Sequence, residues 1–383
     1  GIAMIGNDSN LVMENSNISG NVALTGGGVY CVSETPGSTP SIIMSKDSSV
    51  VSNFAQGVPV DEDSIVGAGG GFFLNRCLLK VYSGNSNSNL MGITLNFADG
   101  HGGGIFLDNA GVSLYGHETC DGNTCLGNDE NPVKMLNNES GYRDSLGNGG
   151  AIYAKDSSSV TMEHVRIHSN SSDEYGGAIY LDNAQLTVRQ RKENCWENSH
   201  CNHFTSNVVK GTASFKGMNP HGGAIYIKNA MAEVQHAVFE DNIAKHGAAI
   251  AVHNVTPSPA HAPAQLRLFS SMLTANGNDE TESIFESHGH ASFLVSHTTI
   301  ADNIFSDTPH STFDLVGADV DNNPDFTFES SIVNNLGINV LRHSFDDSNF
   351  EVDINGNGFA DIANGGTYTI TGPTTAATGV SFT

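Results

Sequence analysis

Two short hydrophobic-polar patterns alternate along most of the chain. The first is glycine-glycine, a small residue, an aliphatic and an aromatic. It reads GGGVY (26–30), GGGFF (69–73), GGGIF (102–106), GGAIY (149–153), GGAIY (176–180), GGAIY (222–226) and, worn, GAAIA (247–251). The second is an apolar residue, two spacers and Asn: ISGN (18–21), VVSN (50–53), ITLN (93–96), MLNN (135–138), IHSN (167–170), FTSN (204–207), FEDN (239–242), LTAN (273–276), IADN (300–303) and IVNN (332–335). Its Asn returns every 27 to 43 residues. After each glycine pair apolar side chains alternate with a period of two, as in Ile179-Tyr180-Leu181, which marks a short half-buried strand. Further strands read LVMEN (11–15), VTMEH (160–164), AEVQH (232–236), LRLFS (266–270) and FLVSH (293–297). Three short strands per repeat with Asn and Gly corners predict an all-β fold, a right-handed parallel β-helix of roughly ten coils with loop insertions. Stacking about 4.8 Å apart lays the corner amides in ladders, and glycine supplies the left-handed conformation at another corner. Uneven spacings are insertions, with TPGSTP (35–40) and TPSPAHAPA (255–263) the plainest.

The GGAIY motif alternating with FxxN resembles the repeats of chlamydial polymorphic outer-membrane proteins and related autotransporter passengers, over roughly residues 10–340. The resemblance implies a β-helix displayed outside the cell. It also extends to secreted β-helix proteins, among them polysaccharide lyases. Residues 1–340 are then the solenoid and 341–383 a C-terminal cap or tail with an end strand.

Composition narrows the function. Gly supplies 43 positions and Asn 40, so 83 of 383 residues are poor helix formers that favour turns. Lys and Arg number 16 against 41 Asp and Glu, a net charge of 16 − 41 = −25. That balance argues against nucleic acid and anionic membrane surfaces as partners. No apolar run reaches the roughly 20 residues of a membrane helix. The sequence opens on Gly1 without a signal pattern and reads as a mature product or an excised piece of a longer chain.

Six cysteines fit local disulfides in an oxidising compartment, Cys120–Cys125 and Cys195–Cys201, with Cys31–Cys77 left by elimination; buried thiols are the alternative. Tyr153, Tyr180 and Tyr226, in a column with Tyr30, Phe73 and Phe106, point outward and form a candidate ligand-binding platform for sugar rings or a partner protein. The alternative is a second small core beneath the insertions. Histidines fall in two columns. His101, His221, His246 and His288 each precede a glycine motif, and His164, His236 and His297 share a strand-ending bend. Neighbouring imidazoles suit a transition metal or a pH-sensitive seam; otherwise His simply replaces Asn at a corner. Asp353, Asn355, Asn357 and Asp361 match the spacing of an EF-hand-like calcium loop, though Asn364 stands where a bidentate Glu is expected, and a plain Asn/Gly turn is the alternative.

These features point to an extracellular surface or matrix protein acting in adhesion or assembly, with a polysaccharide, a cell-surface protein or another copy of itself as partner. The alternative is a secreted carbohydrate-active enzyme such as a polysaccharide lyase. Its basic groups would come from Arg189, Arg191, Lys192, Lys210 and Lys216, or from Arg166 and His168 beside His164.

Overall fold

The structure is a computed structural model. It describes residues 1–355 except 8, 36, 58–64, 85–91, 117–118, 122–123, 127–130, 144–145, 190–200, 212–219, 255–263, 290, 307–310, 317–324, 330, 336–338 and 344–351. The chain winds as a parallel β-helix. Four sheets run along it, and within each every strand pairs in parallel with its equivalent one coil away. The first and second sheets have eleven strands, the third ten and the fourth six. One coil shows the plan: Ile179–Asp182 in the first sheet, Gln185–Arg189 in the second, Asn202–Thr205 in the third and Val208–Val209 in the fourth. The strands Asn339–His343 and Val352–Asn355 carry the first and second sheets past residue 340. Secondary structure among the described residues is strand only, and no helix is long and apolar enough to cross a membrane.

Corners are made by single residues in the left-handed region. Asn183 (φ 50°) turns the chain from the first sheet to the second, His236 (φ 51°) from the second to the third, and Ser206 (φ 54°) leads out of the third. Gly176 (φ 62°) opens the coil that begins with Ile179–Asp182. Its neighbour Gly177 is required for another reason: a Cβ there would lie 2.3 Å from the Gly223 carbonyl oxygen and 2.7 Å from the Val208 backbone. The glycine pair thus lets successive coils approach where a side chain would hold them apart.

Inside, aliphatic and aromatic side chains stack in columns. Ile152, Ile179, Ile225 and Ile250 are paired in the first sheet and all buried. Phe204 and Phe239 stack with ring centroids 4.9 Å apart. The second-motif asparagines enter this interior as one continuous ladder, Asn21-53-96-138-170-207-242-276-303-335, in which the side-chain amide of each donates to the next at 2.9–3.2 Å. The second proton of the amide goes back one coil to a main-chain carbonyl, as from Asn170 to Met135 at 3.0 Å. Each oxygen also accepts the main-chain N–H of the preceding rung, as Asn207 does from Asn170 at 3.1 Å. The left-handed residue of this corner is the one before the Asn, so Asn itself is free to point inward.

Cys31 and Cys77 form a disulfide between successive coils, both fully buried. Cys201 is disulfide-bonded, and its expected partner Cys195 lies outside the described residues. Cys120 and Cys125 face each other in a small antiparallel hairpin whose side chains are also outside the description.

The ladder gives a graded prediction. Asn170→Ala removes the amide that satisfies four buried main-chain and side-chain groups and should destabilise by about 3 kcal/mol in a urea titration. Asn21→Ala, at a half-buried end rung, should cost less than about 1 kcal/mol when read by urea titration.

Candidate metal centre

The aromatic column expected to face outward as a ligand platform does leave the main core, but it is covered. Tyr153, Tyr180 and Tyr226 are only 2–4% exposed, and Phe73 and Phe106 are 1% exposed. Six rings stack from Tyr30 to Tyr226 with centroids 4.8–5.2 Å apart. The cover includes the residues that precede the glycine motifs: His101 lies 4.7 Å from the Tyr153 ring and Tyr175 4.8 Å from the Tyr226 ring. The column is therefore a second hydrophobic core outside the first sheet. Burial of this kind removes Tyr153, Tyr180 and Tyr226 from contact with a large ligand.

The column changes chemistry one coil after Tyr226. The register runs Tyr226, Ala251, Glu286, Asp314. Ala251, in the worn motif, leaves the room that a seventh ring would have filled. Two residues on, the parallel position runs Lys228, His253, His288. The pre-glycine column adds His221 and His246, paired in register with ring centroids 5.0 Å apart. His288 is thus not a member of that column, contrary to its position before Gly289; it ends a strand and pairs with His253.

Four imidazoles consequently surround one carboxylate. Glu286 is 2% exposed. Its Oε2 meets His221 Nδ1 in a very short contact and lies 3.2 Å from His253 Nε2. Its Oε1 lies 3.9 Å from His246 Nδ1 and 3.8 Å from His288 Nε2. Tyr226 hydroxyl and His253 Nδ1 are hydrogen-bonded at 2.9 Å, which fixes that ring. The ligating atoms of His221, His253 and Glu286 fall within 4.8 Å of one another, and so do those of His246, Glu286 and Asp314. Only His288, with a side chain 45% exposed, opens the cluster to solvent.

Burial dominates the protonation of this group. It drives the His253 imidazole down to about 4, against the opposing pull of Glu286. Burial likewise lowers His246, assisted by the neighbouring His221 and opposed by Glu286. For Glu286 burial pushes upward, but the charge and hydrogen bonds of His221 and His253 prevail and hold the carboxyl well below its usual range. A buried carboxylate with imidazoles converging on both its oxygens is a donor set of nitrogen and oxygen.

The other expected sites separate. His164, His236 and His297 sit in the left-handed corner between second and third sheets, at φ 53°, 51° and 53°, where His stands in for Asn. Asp353 and Asn355 lie on the strand Val352–Asn355, and Asn357 and Asp361 of the calcium motif fall outside the described residues. Arg191, Lys192 and Lys216 are also outside them; Arg189 is exposed on its strand, and Lys210 pairs with Glu139. A basic strip not anticipated from sequence lies on the third sheet, where Lys134, Arg166 and His203 occupy one register position on three successive coils. Burial and the Arg166 charge both lower Lys134, His203 and the adjacent His168.

No family model, curated protein or solved structure matches the chain.

Two predictions follow from burial. Tyr180→Ala should destabilise the protein by about 3–5 kcal/mol, read by denaturant titration, as expected of a core ring. Acid should also destabilise it. In the unfolded chain the imidazoles of His203, His236, His246 and His253 take up protons near pH 6.5, whereas the folded chain resists, in the case of His253 down to about 4. The unfolded state then binds more protons across that window, so the melting temperature should fall by several degrees as pH drops from about 6.5 to about 4. His236→Asn, which keeps a residue suited to φ > 0, should flatten the slope.

Proposed function

We propose that this protein is an extracellular surface or matrix protein that presents a long β-helical face for adhesion, and that its ligand is a neutral polysaccharide. One observation carries the reading: Tyr82 and Tyr115, on adjacent strands of the second sheet, stack on its outer side with centroids 5.6 Å apart and remain partly exposed. Two residues before the rings the outward position runs Lys80, Ser113, Thr161 and Thr187 in register on successive coils, and Glu163 follows Tyr115 on the next coil. A flat row of hydroxyls beside a ring pair is suited to an extended sugar chain, because aromatic faces pack on the apolar faces of sugars while hydroxyls exchange hydrogen bonds. The net charge of −25 disfavours polyanionic glycans. The GGAIY and FxxN repeats, which resemble those of chlamydial polymorphic outer-membrane proteins and autotransporter passengers, support display at a cell surface.

A second reading, polysaccharide lyase, draws on the strip of Lys134, Arg166 and His203, which groups a cation and a neutral base as abstraction of a proton beside a carboxylate requires. The two are separated by one assay. Incubation with neutral glycans, uronate polymers and whole cells should show retention on the neutral glycans, weakened at least about 10-fold in Tyr82→Ala/Tyr115→Ala with unchanged circular dichroism, since each stacked ring contributes on the order of 1 kcal/mol. New ultraviolet absorbance from unsaturated products, lost in Arg166→Ala, would replace adhesion with the lyase. Retention that survives loss of both rings would remove the second-sheet face from the account.

A further inference from the structure

We infer that the cluster beyond the aromatic column is a transition-metal centre in which His221, His253 and Glu286 hold a divalent ion of the zinc class.

Four observations carry this. The three ligand atoms converge within 4.8 Å from three successive coils, on the rigid first sheet and on the bridge preceding it, so their spacing is set by strand pairing. Two imidazoles and a carboxylate suit zinc and its neighbours, whereas calcium and magnesium prefer all-oxygen sets. His253 is oriented through its far nitrogen by the Tyr226 hydroxyl at 2.9 Å, the arrangement that fixes the ring of a metal-binding histidine. Finally, His246 is buried at 8% exposure, and neither ring nitrogen has a hydrogen-bond partner, although its Nδ1 faces the same carboxylate at 3.9 Å. A buried ring with two unsatisfied nitrogens is costly unless something receives a lone pair. A cation beside Glu286 does so. With Asp314 it completes a second trio on the other oxygen of Glu286.

An ion pair network alone explains less. It gives His221 and His253 hydrogen bonds to Glu286, whereas His246 stands 3.9 Å from both Glu282 and Glu286 with neither ring nitrogen hydrogen-bonded. The position is also local to this end of the column: at the equivalent sites on earlier coils stand Tyr153, Tyr180 and Tyr226, which offer no carboxylate.

The test uses the full chain without a histidine tag, stripped with chelator and titrated with Zn²⁺ by calorimetry, then with Co²⁺ by visible absorption. The expected result is saturable binding that raises the melting temperature, with a tetrahedral Co²⁺ spectrum and no competition from Ca²⁺. Glu286→Gln, nearly isosteric, should weaken Zn²⁺ at least about 100-fold, and Tyr226→Phe, which leaves every ligand in place, about 10-fold. His164→Asn, at a corner remote in the fold from the cluster, should leave affinity unchanged. Zn²⁺ binding that is undetectable in the folded wild-type chain would overturn the assignment. So would binding that Glu286→Gln and Tyr226→Phe both leave unaltered, since it would then belong to other histidines.

Discussion

A buried amide whose protons and lone pairs are all committed dictates the geometry of this molecule. Each ladder Asn gives one proton forward to the next coil and one backward to a carbonyl, and accepts from the rung before it. The interior offers no water to replace a lost partner, so a slip by one residue would strand several groups at once. The ladder therefore sets the register, and the register sets every column beside it. The isoleucine stacks, the aromatic stack and the imidazole-carboxylate group are all consequences of equivalent positions being held in line.

The aromatic column shows how such repetition is both used and varied. Six rings give a continuous dry stack, and the covering residues come from the coil's own turn rather than from another domain. Where the phenol is replaced by Ala251, the space is taken by Glu286 and the rings of His221 and His253. Charge enters a place shaped for hydrophobic packing, and it does so with four imidazoles around it. In a chain with net charge −25, the one deeply buried Glu in this column is also among the most heavily surrounded by nitrogen donors.

Much of this was legible in the sequence because a solenoid repeats its reasons. The Asn of FxxN and the paired glycines recur, and both perform the roles their chemistry implies. Alternation told correctly that Tyr180 lies on the opposite side of its strand from Ile179 and Leu181. It did not tell what covers that side, because the pre-glycine position that supplies the cover changes residue from coil to coil, running Asn148, Tyr175, His221, His246. The carboxylate that the histidines lacked was hidden for a related reason. Around Glu286 the glycine motif is absent, and Ser283 takes over a glycine-side contact by accepting from the Gly247 main-chain N–H at 2.9 Å. Continuing the aromatic position through the register, Tyr226 to Ala251 to Glu286, is the step that would have revealed it. The strip of Lys134, Arg166 and His203 was obscured by unequal insertions between its members, which only strand pairing resolves.

The Cys31–Cys77 bond joins neighbouring coils from within and closes a stretch of 46 residues. A solenoid under load, or under attack by a protease, peels from an end one coil at a time, since each coil touches only its neighbours. Across this staple peeling has to pause. One backbone cut anywhere between residues 32 and 76 leaves both fragments covalently tethered, and the two coils must come away as one unit.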